Sequence, residues 1–111
     1  IQSSYKMKAR YRLGAVFFAE KKFESAVEVF EDLAQAISDM SSRTPEEETL
    51  LDESLDYLAA ILSQAPQLKV SSKFGPEIYY RLGQIYKKRL DEESLKLTYT
   101  FAIQTYPYSP W

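Results

Sequence analysis

The stretch that most constrains the fold is residues 11–33, YRLGAVFFAEKKFESAVEVFEDL, whose small and large side chains fall where two packed antiparallel helices need them. Gly14 lies early in the first helix and Ala26 early in the second. Neither carries bulk, so the two backbones are expected to close on each other there, with Leu13, Phe17, Phe23 and Phe30 filling the flanks. The polar triplet Glu20, Lys21 and Lys22 reads as the turn of this hairpin. The signature returns near the C-terminus, where Tyr80, Arg81, Leu82 and Gly83 repeat the order Tyr11, Arg12, Leu13 and Gly14 and are followed by Tyr86, Tyr99, Ala102 and Pro107. A repeated hairpin predicts an all-α chain that presents surfaces for protein recognition.

Composition narrows the chemistry. The chain has no Cys and no His. That removes disulfides and structural zinc, the commonest general base, and the Cys-His and Ser-His-Asp nucleophile arrangements. No catalytic residue, cofactor or metal ligand is therefore assigned. With 45% hydrophobic and 27% charged residues the chain has ordinary globular composition, and 111 residues suffice for one domain with a core. The longest uninterrupted apolar run, residues 15–19, is far too short to cross a bilayer. The net charge of −2 hides a polarity: residues 1–22 hold six basic and one acidic side chain, and residues 23–56 hold one basic and eleven acidic. The acidic middle would repel phosphates, which disfavours nucleic acid as a partner and leaves a basic-helix nucleic-acid module as a minor alternative.

Taken in order, Ser3 or Ser4 is placed to cap a first helix. Apolar and basic residues alternate over residues 5–13, the period of a strand, yet the run continues without a turn to Ala19 and is read as helix. Lys6, Lys8, Arg10 and Arg12 then spread around that helix, either solvated or facing an acidic segment. A second amphipathic helix is predicted over residues 23–40. Thr44, Pro45 and Glu47 supply an N-cap, a first helical residue and a capping-box partner, so a third helix should start at Pro45 and run to about Gln64. Glu48, Asp52 and Asp56 follow one another at i, i+4 on it. The carbonyl-rich turn of a calcium loop is missing, so they are read as a solvated acidic face. Residues 65–75 read as an ordered loop or linker, residues 78–88 as a fourth helix with Pro76 in its first turn, and residues 92–105 as a fifth.

On these residues the chain resembles the tetratricopeptide repeat (TPR) family, whose unit is a helix-turn-helix of about 34 residues. Leu13, Gly14, Phe17, Ala26 and Phe30 match one unit (residues 5–40), and Leu82, Gly83, Tyr86, Tyr99, Ala102 and Pro107 match another (residues 76–109). Leu95 stands where a small residue is expected opposite Gly83, which should splay that hairpin. Residues 41–75 between the units read as an irregular or inserted helix plus loop. A weaker likeness, carried by Phe74, Gly75, Ile85, Tyr86 and the Tyr-Pro and Ser-Pro pairs at the end of the chain, is to the TPR subunits of the anaphase-promoting complex.

The resemblance implies a single domain of about five helices, two TPR-like hairpins flanking a long middle helix in a right-handed α-solenoid fragment. It also implies a non-catalytic scaffold, part of a larger TPR subunit in an intracellular assembly, cytoplasmic or nuclear. The first helices of the units would line a concave groove with Lys8, Tyr11, Ala15 and Phe18 from one unit and Glu77, Tyr80, Gln84, Lys87 and Lys88 from the other. A protein or peptide segment is the implied partner. Tyr11 and Ala15 occupy the positions at which some members clamp a terminal carboxylate with Lys and Asn, so that activity does not carry over. The competing reading of Tyr11, Phe18 and Tyr80 is that they pack on the middle helix. Self-association or packing on further repeats is the structural alternative, with Tyr108 and Trp111 as its candidate surface.

Overall fold

The structure, a computed structural model, describes residues 4–108. These form five helices: α1 (Ser4–Ala19), α2 (Phe23–Ser38), α3 (Pro45–Gln64), α4 (Gly75–Lys88) and α5 (Glu92–Thr105). No strand occurs among the described residues. The alternation over residues 5–13 is thus helical, and it leaves α1 without one clean apolar face. Met7 and Gly14 are buried, while Tyr5, Leu13 and Val16 stay at the surface. Ser4 is already in the helix, and Ser3 lies outside the described residues.

Helix ends follow local chemistry. The Thr44 hydroxyl accepts from the Glu47 amide at 3.1 Å and the Glu47 carboxylate accepts from the Thr44 amide at 2.7 Å, a closed capping box with Pro45 just inside it. Three glutamates in the first turn of α3 face the positive end of its dipole. Asp91 caps α5 by accepting from the Ser94 amide and hydroxyl at 3.1 and 2.7 Å. α2 stops at Ser38, short of the expected Met40, with Asp39 as its C-cap held by Gln35.

The two hairpins close with the same hydrogen bonds. Lys21 and Leu90 both take a left-handed conformation, with φ of 61° and 57°. The Lys22 amide donates to the Phe17 carbonyl and the Lys21 amide to Phe18; in the second hairpin Asp91 donates to Tyr86 and Leu90 to Lys87. Each pair is a Schellman closure, and the partners correspond at the offset of 69 residues that separates Gly14 from Gly83. The internal repeat is therefore structural as well as sequential.

The glycines show what fills the space between the paired helices. A Cβ at Gly14 would stand 2.7 Å from Cζ of Phe30, and a Cβ at Gly83 would run into the Tyr99 ring. An aromatic ring one turn beyond Ala26, and one turn beyond Leu95, fills the space over each glycine. The hairpins are ring-on-glycine contacts.

α1 packs on α2, α4 packs on α5, and α3 lies between α2 and α4 while also touching α1. α1 does not reach α4, and α3 does not reach α5. The main core joins Ala26, Val27, Phe30 and Ala34 of α2 to Leu55, Leu58, Ala59, Ile61 and Leu62 of α3 and to Phe74, Ile78 and Leu82. A smaller cluster joins Met7, Leu33, Ile37 and Leu50. Residues 65–74 form an ordered loop that turns back over α2, where the Ser71 amide donates to the Glu31 carboxylate and Lys73 pairs with Asp39 at 3.6 Å.

Candidate partner-binding surfaces

α3 divides the expected groove residues into two sets. In the first hairpin its Tyr57 enters the angle between α1 and α2. That ring stacks on Phe30 (centroids 4.7 Å, planes 10° apart) and meets Tyr11 at 5.8 Å and Phe18 at 5.3 Å edge-on, both favourable aromatic geometries. Tyr11 also meets Phe30 at 6.1 Å, and Phe18 meets Phe23 at 5.9 Å. Burial, and then a hydrogen bond and charge repulsion from the Glu53 carboxylate, push the Tyr11 phenol well above its usual range. Lys8 reaches Glu46 at the start of α3, at 2.5 Å. Ala15 is half-buried. Lys8, Tyr11 and Phe18 are thus engaged by the chain's own middle helix.

The second set faces outward. Tyr80 stacks on Tyr99 (centroids 6.5 Å, planes 14° apart), and Gln84 donates from Nε2 to the Tyr99 hydroxyl at 3.0 Å. Tyr80 remains 42% exposed, and Lys87 and Lys88 are exposed two turns further along α4. Together they make a ring platform bordered by cationic side chains. It is the counterpart, at the 69-residue offset, of the Tyr11 and Phe30 pair that Tyr57 covers. Glu77 belongs elsewhere, 3.5 Å from Arg81. Tyr108 is almost fully exposed, and Trp111 lies outside the described residues.

Arg81 makes the interhelical contact that local sequence pattern does not indicate. Its Nη2 lies 2.8 Å from Asp52 and its Nη1 2.8 Å from Asp56, and Nη1 also donates to the Asp52 carbonyl at 2.9 Å. Burial by itself lowers the guanidinium pKa, and the hydrogen bonds of Asp56 and Asp52 with the nearby carboxylate charges more than offset it, leaving the value raised. The row read as a solvated acidic face is therefore a docking strip for α4, and its third member, Glu48, pairs with Arg43 at 3.3 Å. Among the described residues no group of acidic side chains is arranged to hold a metal ion.

α5 departs most from its counterpart. Where α2 exposes Glu28 and Asp32, α5 exposes Leu97 and Phe101. These border an apolar groove of ≈350 Å³ with Leu62, Pro66, Tyr79 and Tyr86, open because α3 and α5 do not meet. No helix among the described residues is long and apolar enough to cross a membrane. No family model, curated protein or solved structure matches the chain.

Proposed function

We propose that the protein is a non-catalytic protein-interaction scaffold, a short right-handed α-solenoid fragment of two TPR-like hairpins clasped by α3. It binds a partner segment on the platform formed by Tyr80, Tyr99, Gln84, Lys87 and Lys88. The observation that carries this reading is the internal precedent: on the equivalent platform of the first hairpin, an aromatic side chain from a helix, Tyr57, stacks on Phe30 beside Tyr11. A partner that places a ring or a large apolar side chain on Tyr80 and Tyr99 and a carboxylate near Lys87 repeats that contact with added charge pairing. The platform is preorganised by the bond from Gln84 to Tyr99, so little side-chain entropy is lost on the scaffold side.

The test uses the chain's own helix as ligand. A fluorescein-labelled peptide copying residues 44–65 is titrated with the full chain and followed by anisotropy, and Tyr80→Ala in the protein and Tyr57→Ala in the peptide should each weaken the platform-bound component about tenfold, within the range of aromatic hot spots. Binding indifferent to both substitutions would refute the assignment. Assembly with other copies or with further repeats is a second reading, favoured specifically by exposed Leu97 and Phe101 on α5, and a concentration series in light scattering reports it directly.

A further inference from the structure

The two hairpins are copies in their turns and in their ring-on-glycine contacts, so what covers one shows what fits the other. α3 lies against the face of α4 that carries Phe74, Ile78, Arg81 and Leu82, and buries it. At the offset of 69 residues the same face of α1 carries Tyr5, Ala9, Arg12 and Leu13, with Val16 in the place of Ile85. There it is open. Leu13 is 46% exposed against 3% for Leu82, and Tyr5 is 81% exposed against 8% for Phe74. Arg12, the counterpart of Arg81, is exposed and has no carboxylate partner among the described residues.

We propose that this outer face of α1 docks an acidic amphipathic helix from a partner protein, with Arg12 bridging two carboxylates one helical turn apart and Leu13 and Val16 packing against that helix's apolar stripe. The chemistry of the occupant is written in α3. Asp52 and Asp56 stand at i, i+4 and hold Arg81, while Leu55, Ala59 and Leu62, on the same side of the helix, join Phe74, Ile78 and Leu82 in the core. A bidentate guanidinium selects such a carboxylate pair by geometry as well as by charge. α1 carries no acidic side chain, so nothing on the helix itself opposes the approach of a carboxylate pair to Arg12.

A second copy presenting its Tyr80 platform or the acids of its α2 fits this face poorly. The surface that would continue the stack head to tail is the Tyr80 platform, where Lys87 and Lys96 replace Phe18 and Val27 of the first hairpin. Joining it to α1 would set two basic surfaces together. The exposed acids of α2, Glu24, Glu28 and Asp32, carry no apolar stripe between them to cover Leu13 and Val16.

The experiment titrates the full chain into a labelled peptide copying residues 44–65 with Tyr57→Ala, which removes the ring that the Tyr80 platform would take and so separates this proposal from the preceding one. The peptide should bind, and Arg12→Glu or Leu13→Asp should each weaken binding about tenfold or more. Both residues are exposed, so the variants should keep the wild-type circular dichroism and Tm. A peptide carrying Asp52→Lys and Asp56→Lys as well should bind Arg12→Glu more tightly than wild type. Affinity unchanged by both protein substitutions, or no gain from the charge reversal, overturns the proposal. So does Arg12-dependent binding of a labelled DNA duplex in the absence of peptide binding, which would make this a phosphate-binding face, or an Arg12-dependent dimer in light scattering, which would make a second copy the occupant.

Discussion

Gly14→Ala tests the packing that makes each hairpin a unit. On helix propensity alone this substitution should stabilise α1 by about 1 kcal/mol, because alanine restricts the unfolded backbone and favours helix. The structure reverses the sign. The added Cβ would lie 2.7 Å from Cζ and 2.9 Å from both Cε atoms of Phe30, distances that real methyl groups do not tolerate. Phe30 cannot swing away, since it is fully buried and its ring is backed by Tyr57 at 4.7 Å and edged by Tyr11 at 6.1 Å. Overpacking of a held ring costs about 1–3 kcal/mol, and with three ring atoms contacted at once the upper end applies. Net destabilisation of about 2 kcal/mol follows, a fall of roughly 8 °C in Tm for a domain of this size. Urea denaturation followed by circular dichroism measures it, with Gly14→Ala, Phe30→Leu and the double variant forming a cycle. The smaller side chain should relieve the clash, so the double variant should be at least about 1 kcal/mol more stable than additivity allows. A stabilised Gly14→Ala protein, or an additive cycle, would refute the ring-on-glycine account.

Two further perturbations follow from the helix ends. Leu90 holds φ of 57° with its side chain almost wholly in solvent, so Leu90→Gly removes left-handed strain and loses no packing; it should raise stability by about 0.5–1 kcal/mol in urea melts, whereas Leu90→Ala should not. Asp91 is held below the usual carboxylate range by the Ser94 hydroxyl and then the Ser94 amide. Its folded-state pKa is depressed, so its stabilising contribution is present above the unfolded-state value and is lost as pH falls through the folded one; Asp91→Asn should flatten that acid limb of a Tm-against-pH curve and leave the curve at neutral pH nearly parallel.

What was legible in the sequence was whatever depends on near neighbours. The start of α3 is fixed by Thr44, Pro45 and Glu47 within a few residues, and both capping-box bonds form. The polar turn at residues 20–22 and the break between the fourth and fifth helices at residues 89–91 also stand where the sequence places them, although the left-handed residues in them are Lys21 and Leu90, without the glycine that marks such a closure. The register of the hairpins was less legible. A small residue at Ala26 and a ring at Phe30 both offer a way to accommodate Gly14, and it is the Phe30 ring that lies over the glycine. The acid row is exposed as expected, but its partner is not legible for a related reason. Asp52 and Asp56 find Arg81 across 25 or more positions in the chain, and helical spacing carries no information about a partner on another element. Likewise the spacing of Tyr11 and Phe18 marks a shared face of α1 and leaves open whether a partner or Tyr57 covers it.

The middle helix explains why two hairpins closed by the same turns and ring-on-glycine contacts present different surfaces. α3 has two working faces. Leu50, Glu53 and Tyr57 meet the first hairpin, while Asp52 and Asp56 hold the second. Because a single helix fills the inner side of both, the inner face of α1 and the inner face of α4 are not the same face of the repeat: α1 is covered where it carries Tyr11 and Phe18, and α4 where it carries Arg81 and Leu82. Each hairpin is left with the face that its twin has buried. The outward residues then depart from the repeat in charge, with Lys87 in place of Phe18 at one end and exposed Arg12 without the acids that hold Arg81 at the other. Two ends of unlike shape but like positive charge disfavour direct contact between the Tyr80 platform and the outer face of α1, and that difference traces to the way one helix closes both hairpins.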